Sequence, residues 1–189
     1  LYLGGPSGCG KSSMLSILSG VAVPQSGTVE LLGIDFSKMT GPQRDVFRAD
    51  HIGYIFQMFN LIPYLSVVEN VTLPLRYSKR KNARVKSPSN EAHRLLGHLG
   101  MEELVGRRVI DLSVGQQQRV AAARALMGAP EIVLADEPTS SLDKVHSEQF
   151  LDLLFEECDS VGSTLVFVSH DEQLSDRFDR KLLLGGASL

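Results

Sequence analysis

The chain has 189 residues, of which 43% are hydrophobic and 22% are charged, and its formal net charge is −3. These values are ordinary for one globular domain with a sizeable core, and they exclude the strongly basic field that is typical of nucleic-acid-binding proteins. Two widely separated cysteines, Cys9 and Cys158, argue against a disulfide-stabilised fold and fit a reducing compartment, while the apolar runs are too short to span a bilayer and no signal peptide is recognisable.

The first predicted element is the end of a buried strand, LYLGG, which runs into a glycine-rich loop. Because the chain opens within this strand, we expect further residues to precede it. Residues 5–12 match the pattern G-x-x-x-x-G-K-[ST] of a phosphate-binding loop. A helix is predicted to start near Lys11, because apolar residues follow the loop at helical spacing. These residues are Met14, Leu15, Ile17 and Leu18.

The glycine-rich loop has the composition that polyphosphate binding requires. Glycine lets backbone N–H groups approach the phosphates because it has no Cβ, and the helix start adds unpaired N–H groups and a positive dipole end. We expect Lys11 to reach the β- and γ-phosphates, the Ser12 hydroxyl to bind Mg²⁺, and Cys9 to contribute only its N–H. The alternative is a glycine turn with an exposed lysine. The predicted nucleotide-binding residues of the loop are Gly5, Pro6, Ser7, Gly8, Cys9, Gly10, Lys11, Ser12 and Ser13.

The middle of the chain, residues 60–112, contains few strand-like runs, and its segments LSVVENVTLPLRY and NEAHRLLGHLG look helical. We therefore predict one domain in which a helical subdomain, residues 58–118, is inserted into an α/β core formed by residues 1–57 and 119–189. Six of the eleven residues 76–86 are basic. This composition is typical of a solvated, mobile surface segment, and the alternative is contact with anionic lipid headgroups.

Two later apolar runs, IVLADEP at residues 132–138 and STLVFVSH at residues 163–170, predict buried strands that end in polar residues. Ligands bind at this carboxyl edge in open α/β sheets. A helix is predicted between the two strands. Its core-facing residues are Leu151, Leu154, Phe155 and Cys158. The alternation of strands and helices predicts an α/β fold with a mainly parallel sheet.

The polar residues at these strand ends are candidates for catalysis. A nucleotide-hydrolysing site needs one carboxylate for Mg²⁺, usually through water, and a second one that orients or deprotonates the attacking water. Asp136 fits the first role and Glu137 the second, and the alternative is a solvated start of a loop. His170 could donate a hydrogen bond to a γ-phosphate oxygen, although a lone histidine at a strand end is more often structural.

Together with LSVGQQQRV at residues 112–120, these motifs resemble the ATP-binding cassette (ABC) family, the nucleotide-binding subunits of ABC transporters. The resemblance covers essentially the whole chain. It implies a RecA-like P-loop NTPase core with an inserted helical subdomain, and an ATPase that uses ATP and Mg²⁺ and is coupled to transport. The stretch YIFQMFNLIPYLSVVENVTLPL further resembles the subgroup that serves lipoprotein-release and macrolide-export systems, and the related cell-division cassette.

The resemblance also implies a role for each motif. Gln57 resembles the Q-loop glutamine, which contacts Mg²⁺ and the reacting water and responds to the membrane partner, and His170 resembles the switch histidine. The implied catalytic residues are Glu137, His170, Gln57 and Lys11, and the implied metal ligands are Ser12, Gln57 and Asp136. The residues implied to contact a nucleotide outside the glycine-rich loop are Ser113, Gly115 and Gln116 of the signature motif and Asp143 of the D-loop.

The chain departs from the family pattern at two places. Val114 stands where the signature usually has glycine, and this position must avoid a positive φ because a β-branched residue tolerates it poorly. The family stacks adenine on an aromatic residue well before the glycine-rich loop. That position would precede Leu1, and Tyr2 is too close to the loop to replace it.

The implied partners are a transmembrane permease and a second copy of the chain, which forms a head-to-tail homodimer with ATP. No nucleic acid is expected, and the protein is expected to be cytoplasmic and peripheral on the cytoplasmic face of the inner (plasma) membrane, held there by the permease. A regulatory cassette of the cell-division type, which transmits force without transport, is the alternative. A cassette of DNA repair or translation is disfavoured, because the chain has neither a long heptad-bearing insertion nor a tandem cassette.

Overall fold

A computed structural model of the chain describes residues 1–185. The strands are β1 (Tyr2–Gly4), β2 (Glu30–Leu31), β3 (Ile34–Asp35), β4 (Ile52–Ile55), β5 (Ile132–Asp136), β6 (Thr164–Val168) and β7 (Lys181–Leu183). The helices are α1 (Lys11–Leu18), α2 (Gly41–His51), α3 (Val67–Thr72), α4 (Lys79–Arg84), α5 (Pro88–His98), α6 (Val114–Leu126) and α7 (Lys144–Val161). Five strands form a parallel sheet in the order β4-β5-β6-β1-β7, while β2 and β3 pair antiparallel. The predicted α/β fold with a mainly parallel sheet is confirmed.

The main sheet is covered on both faces, because alternate residues of each strand enter different hydrophobic clusters. In β5, Ile132 and Leu134 pack in one cluster together with Leu15 of α1 and Phe47 of α2. Their neighbours Val133 and Ala135 pack in the other cluster, which also contains buried residues of α6 and α7. The continuous apolar runs in the sequence reflect this double burial.

The two later strands and the helix between them confirm their predictions. β5 and β6 lie side by side with Val133 opposite Leu165, and α7 connects them. The core-facing residues of α7 that the spacing predicts are Leu151, Leu154 and Cys158, which are buried, and Phe155, which is partly buried against the same cluster.

The segment between β4 and β5 is largely helical, as the sequence indicates. It contains α3 to α6 and short 3-10 helices, and within residues 1–185 its only β pairing is an isolated bridge between Ser66 and Arg108. No helix in the described part of the chain has both the length and the apolar character needed to cross a membrane. The boundaries given above for the helical subdomain stay a prediction.

The basic segment corrects one expectation in part, because residues 76–86 are mostly exposed but are not solvated throughout. The whole of α4 lies in this segment, and Ser78 caps it by accepting a hydrogen bond from the Lys81 N–H. Lys81 is 2% exposed, and its ammonium donates to the Ile52 carbonyl at 2.8 Å. Arg80 and Arg84 both pair with Glu131, just before β5. Contact of this segment with lipid headgroups stays a prediction.

Candidate active site

A pocket of about 340 Å³ lies at the carboxyl ends of β1 and β5. Parallel strands bring their following loops to one edge, which is why motifs far apart in the sequence meet there. The lining residues are Ser7, Gly8, Gly10, Lys11, Ser12, Ser13, Gln57, Asp136 and Glu137. Of the predicted residues, the structure therefore unites most of the glycine-rich loop, Gln57 and both carboxylates.

The backbone of the glycine-rich loop has the conformation that only glycine readily adopts. The φ angles of Gly8 and Gly10 are 80° and 100°. A Cβ at either position would meet no atom of residues 1–185 within 4 Å, so backbone conformation rather than crowding requires glycine. Gly10 precedes α1, which has neither a capping side chain nor an acidic residue in its first turn. The first N–H groups of α1 are therefore left for an anionic ligand.

Lys11 is fixed across the loop. Its side chain is 7% exposed, and Nζ donates to the carbonyl oxygens of Gly5 at 2.8 Å and Pro6 at 3.1 Å. Nζ also lies 3.8 Å from Oε1 of Glu137. Gly5 and Pro6 thus serve the site through their carbonyl groups, which hold the ammonium beside the pocket.

Glu137 has a strained backbone and a paired side chain. Its φ is 45°, a left-handed conformation that costs a non-glycine residue about 1–3 kcal/mol. The Glu137 N–H donates to the Val168 carbonyl at 3.0 Å, which fixes this conformation against β6. Its carboxylate lies between Lys11 and His170, whose Nδ1 is 3.3 Å from Oε2. His170 is exposed and does not line the pocket, so it reaches the site through Glu137.

The oxygen atoms around the pocket form a donor set that suits Mg²⁺. Burial raises the pKa of Asp136, the neighbouring Glu137 raises it further, and Lys11 opposes both. A cation would relieve this electrostatic penalty. Ser12 and Gln57 offer further oxygen donors to the same pocket, and Mg²⁺ prefers oxygen ligands. No group of three or more His, Cys, Asp or Glu side chains within residues 1–185 could hold a metal ion, so the Mg²⁺ site would need the Ser12 and Gln57 oxygens.

The signature residues lie outside this pocket, at the start of α6. Ser113 Oγ accepts a hydrogen bond from the Gln116 N–H at 3.4 Å, and Gln116 Oε1 accepts from the Ser113 N–H at 2.9 Å. The two side chains therefore cap their own helix. A Cβ on Gly115 would make only an ordinary contact with Leu142, at 3.6 Å, so packing within the chain does not require glycine there.

Asp143 also lies outside the pocket. It caps α7 and accepts hydrogen bonds from the His146 N–H at 3.0 Å and from the His146 ring. These bonds lower the pKa of Asp143, so its carboxylate stays ionised at the start of the helix.

The two departures from the family pattern have structural outcomes. Val114 is the first residue of α6 and is 50% exposed, and its φ is not positive, as predicted. Tyr2 is fully buried, and its hydroxyl donates to the carbonyl oxygens of Ser169 and Asp171. Tyr2 is therefore a core residue and cannot offer its ring to a ligand.

Sequence reasoning missed Arg124, which contacts the loop after Gln57. Its guanidinium donates to the carbonyl oxygens of Phe59 and Asn60, both at 2.6 Å, and the residue is 9% exposed. The sequence does contain a signal, because Arg124 is the one charged residue in the otherwise small and apolar run AAARAL. An arginine in such a run must find buried acceptors.

Comparison with known protein families gives one consistent result. Residues 1–140 match the family model described as ABC transporter. The whole chain is 42% identical to YbbA of Escherichia coli K12, an uncharacterised ABC transporter ATP-binding protein, and covers 82% of it. It is 37% identical over 185 residues to LolD of Legionella pneumophila, the ATP-binding protein of a lipoprotein-releasing system, with 98% of this chain and 80% of LolD covered.

Solved structures agree with this result. A dimeric structure of MJ0796, described as a bacterial ABC transporter cassette, superposes with a TM-score of 0.86 at 37% identity, covering 98% of this chain and 80% of that one. A dimeric post-hydrolysis state of MJ0796 bound to ADP and Pi also gives 0.86, at 36% identity, with 98% and 82% covered.

Proposed function

Because this chain belongs to the ABC transporter family of ATP-binding cassettes, we propose that it is the ATP-hydrolysing subunit that powers a membrane transporter through ATP-driven head-to-tail dimerisation. The observation that carries the proposal is the pocket where the glycine-rich loop, Gln57, Asp136 and Glu137 meet, while the signature residues lie elsewhere on the same chain. Such a chain has a nucleotide site that a second copy completes.

ATP binding depends on the loop and the start of α1. The N–H groups of residues 8–12 surround the polyphosphate, and Lys11 is already held beside it by two carbonyl oxygens. Ser12, Gln57 and Asp136 would hold Mg²⁺, with Asp136 acting through a water molecule. When bound, Mg²⁺ neutralises charge on the β- and γ-phosphates.

Hydrolysis depends on Glu137, which orients or deprotonates the attacking water. Lys11 and His170 hold its carboxylate from two sides, and the bond from its N–H to Val168 fixes its backbone. Gln57 adds a polar group at the same pocket. Because these contacts already hold the Glu137 side chain and backbone in place, the site does not have to reorganise when the reaction begins.

Dimerisation supplies what one chain lacks. Ser113, Gly115 and Gln116 would face the γ-phosphate held by the other copy, and Asp143 would approach the same interface. The lack of crowding at Gly115 supports this assignment, since a glycine that its own chain does not require leaves space for an external group. The MJ0796 cassette, 37% identical, has been solved as a dimer.

A transmembrane permease is the proposed partner, and it would hold the protein on the cytoplasmic face of the inner membrane. The similarity to LolD, which serves a lipoprotein-releasing system, supports an assembly of this kind. The alternative is a regulatory cassette that moves no substrate. Purification of the protein with its bound membrane protein separates the two, because only a transporter partner has a substrate path.

The experiment that tests the proposed ATPase is Glu137→Gln. We expect ATP affinity to be retained, turnover to fall roughly 10²- to 10⁴-fold as for loss of a general base, and a closed dimer to accumulate with MgATP in size-exclusion chromatography. Glu131→Gln is the matched control, because it removes a carboxylate at the opposite end of β5. Normal turnover in Glu137→Gln would remove Glu137 from this role.

A further inference from the structure

The chain turns sharply just after Gln57. Phe59 and Asn60 both have left-handed φ angles, 59° and 50°. Two consecutive non-glycine residues in this region are strained. The turn is tight, because the Asn60 N–H donates to the Met58 carbonyl at 2.6 Å. Something outside the turn must therefore hold it.

Arg124 of α6 supplies that restraint. The two terminal nitrogens of its guanidinium donate to the Phe59 and Asn60 carbonyls, each at 2.6 Å. Burial lowers the pKa of Arg124, and within residues 1–185 the guanidinium donates only to these two neutral oxygens. A buried cation without a carboxylate destabilises the fold unless such bonds compensate it. The planar guanidinium presents its donors to the two carbonyl groups in a rigid fork, whereas a lysine ammonium is a single rotatable donor centre with no such fixed geometry.

The end of α6 that carries Arg124 is seated firmly on the sheet. A Cβ on Gly53 of β4 would lie 2.1 Å from the carbonyl oxygen of Ala125, so the helix and strand backbones are in direct contact. The other end of α6 begins after Ser113. One helix therefore connects the signature residues to the turn that follows Gln57.

We propose that Arg124 is a positioning residue, which holds the turn at residues 58–60 so that Gln57 faces the pocket. Because Arg124 belongs to α6, a movement of α6 would also move Gln57. This inference rests on the catalytic role proposed for Gln57. The turn begins at the residue that follows Gln57, so relaxation of the turn would directly displace the side-chain amide of Gln57. A displacement of about 1 Å at a catalytic group can lower a rate about 100-fold.

The test compares Arg124→Lys with Arg44→Lys. Arg44 of α2 is the matched control, because its guanidinium also donates to two carbonyl oxygens, those of Gly20 at 3.1 Å and Met39 at 2.7 Å. For Arg124→Lys we expect kcat to fall roughly 10- to 100-fold and the KM for MgATP to change little, because the glycine-rich loop is intact. Hydrogen exchange at the amides of Phe59 and Asn60 should become faster. Arg44→Lys should change neither kcat nor this exchange.

A second variant covers the case in which Arg124→Lys fails to fold. Asn60 is exposed, and Asn60→Pro cannot adopt its positive φ, so this variant breaks the turn while Arg124 is intact. It should reproduce the lowered kcat at nearly unchanged KM. Full kcat in a folded Asn60→Pro, or unchanged exchange in Arg124→Lys, would overturn the inference.

The role of Gln57 itself is tested separately by Gln57→Ala. If this variant keeps full kcat, the role proposed for Gln57 fails, whereas faster exchange in Arg124→Lys still shows that Arg124 holds the turn. If it lowers kcat, the double variant Gln57→Ala/Arg124→Lys should be no slower than Gln57→Ala alone, because both changes act through one group. Two fully additive losses would show that Arg124 acts on the rate by another route.

Discussion

The two ends of β5 carry carboxylates in opposite situations. Glu131, just before the strand, pairs with Arg80, Arg84 and His51. Burial acts against ionisation there, but these hydrogen bonds prevail and lower the pKa of Glu131 to about 2. At the other end, burial and the adjacent Glu137 raise the pKa of Asp136. The acid just before the strand is thus fully paired, whereas Asp136 at the end of the strand forms no ion pair within residues 1–185.

This difference in charge pairing separates a residue that stabilises the fold from a residue whose charge is available to a ligand. Glu131 ties α4 and α2 to the start of β5, so its charge is satisfied within the chain. Asp136 has no such partner within residues 1–185, and its charge is better satisfied by a cation than by the protein. Charge that the fold leaves uncompensated at the carboxyl edge of a parallel sheet indicates a functional site.

Among the changes that test this contrast, Asp136→Asn should have the largest effect. We expect Mg²⁺ affinity in the ATPase assay to fall about 10- to 100-fold, as for residues that act on a metal through water. The stability of the protein without ligand should be unchanged or higher, because one of two adjacent carboxylates is removed. Magnesium titration of the ATPase rate and thermal unfolding without nucleotide give the two readouts. If the variant were clearly less stable and its ATPase rate depended on Mg²⁺ as in the wild type, Asp136 would stabilise the fold as Glu131 does, and the contrast between the two residues would be refuted.

An effect of intermediate size is expected from alkylation of the cysteine thiols. This reaction compares the solvent accessibility of a cysteine in the candidate site with that of a cysteine in the core. Cys9 in the glycine-rich loop is partly exposed, whereas Cys158 is buried, and burial raises the pKa of its thiol to about 12. Iodoacetamide should modify only Cys9 in the native protein and weaken ATP binding about tenfold or more by steric blockage. Mass spectrometry and calorimetry measure both outcomes, with Cys9→Ser as the control. Unchanged ATP affinity after complete modification would contradict the prediction.

The smallest effect is expected from Glu131→Gln, at the other end of the strand. It should lower the free energy of unfolding by about 1 kcal/mol, since solvent partly screens these ion pairs. Because the folded-state pKa of Glu131 is lowered from 4.5 to about 2, its contribution is fully present above pH 4.5 and lost as the pH falls toward 2. Urea unfolding of both proteins between these pH values measures the difference. Parallel pH profiles for the wild type and the variant would refute it.

The parts of the fold that the sequence predicts are those set by local pattern. β5 and β6 read as continuous apolar runs because both faces of the sheet are covered, and α7 shows its buried face by spacing. The interpretation of the basic segment as solvated is wrong at Ser78 and Lys81, which are buried because the segment packs against distant partners. Lys81 donates to the carbonyl of Ile52, and Arg84 reaches Glu131. No local property of a stretch rich in lysine and arginine predicts such acceptors.

The candidate site shows the same division. The motifs predict that Lys11, Asp136 and Glu137 meet, and parallel strands bring them together. The left-handed backbone of Glu137 and the grip of Arg124 on the loop after Gln57 are not predictable in this way. Both depend on tertiary contacts, since the Glu137 N–H needs Val168, and Arg124 needs carbonyl groups in a distant turn.

The cap at the start of α6 leaves the hydroxyl hydrogen of Ser113 available for a hydrogen bond. Ser113 Oγ accepts from the Gln116 N–H, so its lone pair secures the helix, while its own O–H hydrogen has no acceptor among residues 1–185. A hydroxyl can accept and donate at the same time. An oxyanion that approaches this helix can therefore be recognised by the serine proton without any unwinding of the first turn.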